Sequence, residues 1–140
     1  MTDFHAPFLS SRVLWLKLAS ALYVLAIPGL HLSLPVAWVW PIAWALLLAM
    51  LFTYPLAAVQ ARRFVGTETG VSLGLITLGT LGLFLSPVLL VAAIFGHGLW
   101  DLAKHRGHGI PFFGWYVSGC VIVDWLYAGS LLFHLLSGVP

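Results

Sequence analysis

Charged residues are scarce in this chain of 140 residues, because only 7% are Asp, Glu, Lys or Arg. A soluble domain carries about 25% charged residues. Six basic and four acidic side chains cannot cover a globule of this length, so the composition excludes a soluble globular protein. It also excludes a nucleic-acid-binding protein, which needs a basic face. The single cysteine excludes an internal disulfide framework and a Cys-x-x-Cys redox pair.

Motifs of several membrane enzymes are missing as well. The chain has six histidines, too few for the repeated histidine boxes of membrane desaturases and hydroxylases. It lacks the Asp-Gly-x-x-Ala-Arg pattern of membrane alcohol phosphotransferases and any glycine-rich phosphate loop. Ser118 would lie about 120° from Asp124 on one helix, so no nucleophilic Ser-His-Asp arrangement stands out.

Long apolar runs dominate what is present. The chain is 61% hydrophobic and its mean hydropathy is +1.05. A helix that crosses about 30 Å of hydrocarbon needs roughly 20 apolar residues. We therefore predict an all-α protein, a polytopic transmembrane helical bundle that forms one transmembrane domain over residues 1–140 and keeps its first helix. The predicted spans are about 13–34, 35–59, 69–85, 87–105 and 112–136.

The Ser86-Pro87 pair decides the number of spans. As one straight helix, the apolar run from Thr69 to Lys104 would extend over roughly 50 Å, which is too long for a bilayer. Proline breaks a helix interior but suits the first turn of a helix. We therefore place a break before Pro87 and predict five spans. The alternative is four spans, with one long tilted helix in place of the third and fourth.

The basic residues support five spans with the N-terminus in the cytoplasm. In that topology all six lie on or near the cytoplasmic side, as the positive-inside rule requires. In this arrangement Lys104 and Arg106 extend to the lipid headgroups. The six residues are Arg12, Lys17, Arg62, Arg63, Lys104 and Arg106.

Two residues are predicted to lie at the surface of the bundle, and one helix face is predicted to pack against a neighbouring helix. His31 is predicted to lie at the outer interface, and Glu68 is predicted to face solvent. The Gly70-x-x-x-Gly74 pattern, together with Thr77, Gly79 and Thr80, predicts a small-residue face of the third span for close helix packing.

Polar residues with metal-binding chemistry follow one face of the fourth span. His97, Asp101 and His105 are spaced four apart, and each step of four drifts by only about 40° on an α-helix. Imidazole and carboxylate groups at this spacing can share a metal ion or pass a proton. The same groups also suit plain hydrogen-bonded pairs that stabilise helix packing. Ionisable groups inside a bilayer are costly, so a functional site is the leading interpretation.

The last span carries a matching polar face. Four of its residues fall within an arc of roughly 80°. Asp124 lies near the middle of the span, where a lone carboxylate must be neutral or paired, and the stripe on the fourth span is its natural partner. We predict that Asp124 is a fourth metal ligand or the general acid–base. The four residues are Cys120, Asp124, Tyr127 and His134.

One stretch of sequence resembles a group of small bacterial membrane proteins without an established activity. Those proteins carry a His-x-x-Trp-Asp helix followed by a Gly-Cys-x-x-x-Asp helix, which matches the last third of this chain. The resemblance implies that Trp100, Asp101, Cys120 and Asp124 belong to one site. Members of the group place a histidine three residues after the aspartate, where this chain has Lys104. That difference leaves the role of His105 open.

These observations lead to three functional hypotheses for a multi-pass protein of the bacterial inner membrane. The first is a site in which His97, Asp101 and His105 bind Zn, Fe or Mn and act on a lipophilic substrate. The second is proton-coupled transport of a small solute. The third is a non-catalytic accessory subunit of a larger membrane complex. The predicted partner is the lipid bilayer, with a homo-oligomer as a further option and no nucleic acid.

Overall fold

A computed structural model of the chain describes residues 30–138 and the single positions Leu18, Ala21, Leu22 and Ala26. The described residues form helices without any strand, which confirms the all-α prediction for this part of the chain. The predicted first span, 13–34, lies largely outside the described residues. The helices between residues 36 and 136 are α1 (Val36–Leu51), α2 (Thr53–Ala61), α3 (Val65–Phe84), α4 (Pro87–His105) and α5 (Gly114–Leu136).

Four helical segments of the described chain are long and apolar enough to cross a membrane. Helices α1 and α2 follow each other closely and together form the first of these segments, Val36–Ala61. Helices α3, α4 and α5 are the other three. The positions agree with the four predicted spans that fall on described residues.

The junction between α1 and α2 is produced by a proline. Pro55 has no N–H group, so it cannot donate to the carbonyl of Leu51 four residues earlier. The Ser72 hydroxyl of α3 donates to that carbonyl instead, at 3.0 Å. The substitute hydrogen bond links the last residue of α1 to α3 at the bend.

The break before Pro87 occurs as predicted. Ser86 is extended, with φ −165° and ψ 125°, and α4 begins at the proline itself. Proline disfavours helical geometry in the residue before it, which explains why α3 ends at Phe84. The chain therefore reverses direction here instead of continuing as one long helix.

Helices α3 and α4 approach closely at Gly82. A Cβ atom on Gly82 would lie 2.5 Å from the backbone nitrogen of Leu90. The predicted small-residue face is correct at Gly79, where a Cβ would lie 2.6 Å from Leu47 and 3.4 Å from Leu90. It is wrong at Gly70 and Gly74, which are exposed and have no atom of the described residues within 4 Å of a Cβ. The tight contact with α4 uses Gly82 as well as Gly79.

Helix α4 is the centre of the bundle and packs against α1, α3 and α5. The apolar core fills the half of the bundle near the start of α4. The polar side chains of α4 follow towards its end, between α3 and α5. The core is formed by residues such as Val39, Ala43, Leu47, Leu90, Ile94 and Leu131.

Alanine substitutions at two glycines of α3 should have opposite effects. Gly82→Ala should lower the free energy of unfolding by about 1–3 kcal/mol, because the new methyl group meets the Leu90 backbone. Gly74→Ala should leave it unchanged or raise it by about 0.5–1 kcal/mol, because alanine favours helix and the position is open. Unfolding of the purified protein in detergent measures both. Equal losses at the two positions would contradict the packing described here.

Candidate functional site

His97, Asp101 and Asp124 form a compact cluster between α4 and α5. The Nδ1 of His97 lies 2.8 Å from Asp124 Oδ2, to which it donates, and 3.7 Å from Asp101 Oδ2. One potential ligand atom from each residue lies within 4.8 Å of the other two. The predicted pairing of Asp124 with the polar stripe of α4 is therefore present in the structure.

Gly98 allows the two helices to meet at this level. A Cβ on Gly98 would lie 2.6 Å from Trp125 Nε1 and 3.1 Å from Asp124 Cβ. Any larger residue would push α5 away from α4 and separate Asp124 from His97. The close approach explains how a short carboxylate side chain reaches the imidazole ring.

The cluster is buried and only partly hydrogen-bonded. His97 is 2% exposed, and both aspartates are 0% exposed. Among the described residues, three polar atoms of the cluster have no hydrogen-bond partner: His97 Nε2, Asp101 Oδ2 and Asp124 Oδ1. Buried polar groups are paired in the great majority of cases, so three unpartnered atoms on three facing side chains leave places for water, a shared proton or a bound ligand.

Tyr54 completes the cluster from α2, a contribution that the sequence reasoning missed. Its hydroxyl donates to Asp101 Oδ1 at 2.5 Å. Its ring stacks on His97, with ring centroids 6.1 Å apart and an interplanar angle of 23°. A tyrosine 47 residues away in the chain leaves no local signal, and only the bend after Leu51 brings it to Asp101.

A second polar cluster, formed by Glu68 and Lys104, lies beside Tyr54. The predicted positions of these two residues are wrong. Glu68 is 1% exposed rather than solvent-facing, and Lys104 is 7% exposed rather than extended to the headgroups. Their side chains form a buried ion pair. Each charge needs the other because neither is hydrated. The Lys104 ammonium also lies 4.1 Å from the centre of the Tyr54 ring, which links the two clusters.

The turn after α4 is held by the same carboxylate. The backbone N–H of Ile110 donates to Glu68 Oε1 at 2.7 Å, and the Trp100 indole donates to Oε2 at 3.0 Å. Gly109 has φ +70°, and a Cβ there would lie 2.4 Å from Glu68 Oε1. Glycine is therefore required at this position on two grounds, the backbone conformation and the space.

The remaining predicted residues are distributed over the bundle. Trp100 belongs to the Glu68 cluster, and Cys120 is half-buried on α5. Tyr127 contacts His31, which is buried rather than interfacial and bonds the Val39 carbonyl at 2.9 Å.

His134 and His105 lie away from the His97 cluster. His134 packs against Trp40 and has an unpartnered Nε2. His105 is half-buried and lines an open cavity of about 440 Å³ at the end of α4. It is eight residues beyond His97, or about 12 Å along the axis, so the structure does not bring it to the cluster.

The donor set of the cluster suits a divalent metal ion. Ligand atoms bound at about 2.1 Å with tetrahedral angles lie about 3.4 Å apart. The ligand atoms of His97, Asp101 and Asp124 lie within 4.8 Å of one another, so small side-chain movements would bring them to this spacing. One imidazole and two carboxylates are ligands that Zn, Fe and Mn accept.

The ion pair between Glu68 and Lys104 should be strongly coupled. Lys104→Met leaves a buried carboxylate without its cation and should cost about 3–5 kcal/mol of unfolding free energy. The double variant Glu68→Gln/Lys104→Met should recover much of that loss, since no net charge stays buried. A double-mutant cycle of unfolding in detergent measures the coupling. Additive losses would show that the two side chains act independently.

Comparisons with known proteins do not assign the cluster a chemistry. The chain matches no protein-family model, no curated protein and no solved structure. The resemblance to small bacterial membrane proteins stays a prediction. The function therefore has to be inferred from the buried side chains themselves.

Proposed function

We propose that the protein is a multi-pass integral membrane protein that binds a divalent metal ion through His97, Asp101 and Asp124. The metal would be Zn, Fe or Mn, and its chemistry would serve a lipophilic substrate that enters from the bilayer. The observation that carries the proposal is the set of three unpartnered polar atoms on three facing, buried side chains. A cluster that served packing alone would be expected to satisfy its own hydrogen bonds.

Charge balance also supports a divalent ion. With both carboxylates ionised and the imidazole neutral, the cluster carries a charge of −2, which an apolar bundle does not tolerate without compensation. A divalent cation makes the cluster neutral. Lys104 does not compensate it, because that ammonium is paired with Glu68.

The three residues would have different roles. His97 and Asp101 lie on one helix and would form the fixed part of the ligand set. Asp124 comes from the opposite helix, and its Oδ1 has no partner, so it could serve as a third ligand or exchange a proton with substrate. Tyr54 would orient Asp101 through its hydrogen bond, as groups behind metal ligands commonly do.

Metal content tests the proposal directly. The full-length protein, purified in detergent and dialysed against Zn²⁺, Fe²⁺ or Mn²⁺, should retain about one ion per chain by elemental analysis. His97→Gln, Asp101→Asn and Asp124→Asn should each lose most of it, because each removes a ligand. Helix content and thermal unfolding report whether each variant is folded.

His134→Gln is the matched control. It removes a buried imidazole with an unpartnered Nε2 that lies outside the cluster, so metal retention should be unchanged. A wild-type protein without metal, or folded cluster variants that keep the ion as His134→Gln does, would overturn the proposal.

A proton relay is the second candidate function, and two hydrogen bonds favour it. The Tyr54 hydroxyl bonds Asp101, and His97 bonds Asp124. Asp101 Oδ2 lies 3.7 Å from His97 Nδ1, which is the one gap between the two hydrogen bonds. A proton that crossed this gap would move within the centre of the bundle, as proton-coupled transport requires.

Tyr54→Phe separates the two candidates. It removes a relay hydroxyl but no metal ligand, so a metal protein should keep its ion while a relay should lose most of its proton flux. Proton uptake into vesicles that contain the purified protein measures the second quantity. Unchanged proton flux in a folded Tyr54→Phe variant would exclude this relay.

The same proposal includes five spans, a cytoplasmic N-terminus and the bacterial inner membrane. The turns 62–64 and 106–113 lie at one end of the bundle, because Glu68 bonds Ile110 across them. Arg62, Arg63 and Arg106 are all in these turns. The positive-inside rule supports a cytoplasmic position for that end. A first span before residue 35 would then begin in the cytoplasm.

A further inference from the structure

The cavity at the α4–α5 turn lies outside the His97 cluster and has its own chemistry. It measures about 440 Å³, and no acidic residue is among those that line it. This volume falls within the range of about 300–1,000 Å³ that is usual for small-molecule pockets. Its wall combines basic side chains with apolar ones, including Phe112 and Val117.

Positive charge is concentrated around this cavity. Arg106 is exposed at its rim and has a planar group of N–H donors that suits phosphate oxygens. His108 is also exposed and uses Nδ1 on the Ala103 carbonyl at 3.1 Å, which leaves Nε2 for a ligand. Lys104 contributes little charge, because Glu68 neutralises it.

The two helix ends at the cavity add to this charge. Helix α5 begins at Gly114, which lines the cavity, and Phe113 before it offers no side-chain cap. The first-turn N–H groups therefore carry the positive end of a long helix dipole. The negative end of α4 is masked, since Ala103 accepts hydrogen bonds from Arg106 and from the backbone and ring of His108.

Exposed aromatic side chains flank the cavity. Phe113 and Trp115 flank Gly114 and are 47% and 48% exposed. Exposed Trp and other aromatic residues beside arginine are typical of the membrane–water interface. Phosphate groups are abundant at this depth.

We propose that this cavity binds a phosphate group, carried by a lipid headgroup or free in solution. Arg106 donates to the phosphate oxygens, His108 donates through Nε2 as an imidazolium, and the first turn of α5 faces the same anion. Phe112 contacts the glycerol part when the phosphate belongs to a lipid. Val117 is buried at the inner wall of the cavity, two helical turns before Asp124 and about 10 Å from it along the axis of α5. This site is separate from the proposed metal site. Its occupancy by phosphate can be measured in protein that contains no metal.

Lipid and phosphate binding by the purified full-length protein tests the proposal. Native mass spectrometry with dioleoyl phosphatidic acid should show one saturable lipid per chain. Arg106→Gln/His108→Gln should bind it about tenfold more weakly, because charged hydrogen bonds to phosphate are lost. Both residues are exposed, so the variant should stay folded.

Arg62→Gln/Arg63→Gln is the control for general electrostatic attraction. Both arginines are exposed at the same end of the bundle but do not line the cavity. Lipid binding by this variant should match the wild type. Equal losses in the two double variants, or the absence of saturable binding, would overturn the proposal.

Competition with inorganic phosphate distinguishes the two sources of the group. Release of the lipid by millimolar inorganic phosphate supports a site for the free anion. Retention of the lipid at that concentration supports a headgroup site. In both cases the loss of lipid binding must occur in the Arg106→Gln/His108→Gln variant and not in the control variant. Metal content in the same samples is expected to be unchanged, so failure of this proposal is distinct from failure of the metal site.

Discussion

Buried carboxylates are the constraint on which the arrangement of this bundle depends. Glu68, Asp101 and Asp124 are each at most 1% exposed, in a chain whose surroundings are almost entirely apolar. A carboxylate in such a place must be protonated, paired or bound to a cation. Each of the three therefore selects partners from other helices, and those partners determine how the helices meet.

The polar partners of these carboxylates link helices α2, α3, α4 and α5. Glu68 of α3 binds Lys104 and Trp100 of α4, and through Ile110 it also holds the turn that leads to α5. Asp124 of α5 bonds His97 of α4. The apolar core fills the other half of the bundle, so the polar half supplies the directional contacts that packing alone lacks.

The two polar clusters differ in whether all of their hydrogen-bonding atoms have partners among the described residues. In the Glu68 cluster both carboxylate oxygens accept hydrogen bonds, and no atom of Glu68 or Lys104 is unpartnered. In the His97 cluster every one of the three residues keeps an unpartnered atom. A satisfied network stabilises one packing arrangement, whereas an unsatisfied one retains capacity for a ligand or a proton. Tyr54 lies between them and contacts both.

Much of the fold, and part of the site, follows from the sequence alone. Composition and the spacing of apolar runs determine the helical spans, and Pro87 determines the break, because these are local properties of the chain. The stripe of His97 and Asp101, and its pairing with Asp124, follow from helix periodicity and a short connecting turn. Tertiary structure alone decided the rest. Tyr54, the Glu68–Lys104 pair and the exposed position of Gly70 depend on the rotation of each helix about its axis. Contacts between residues far apart in the chain set this rotation, so no local pattern encodes it.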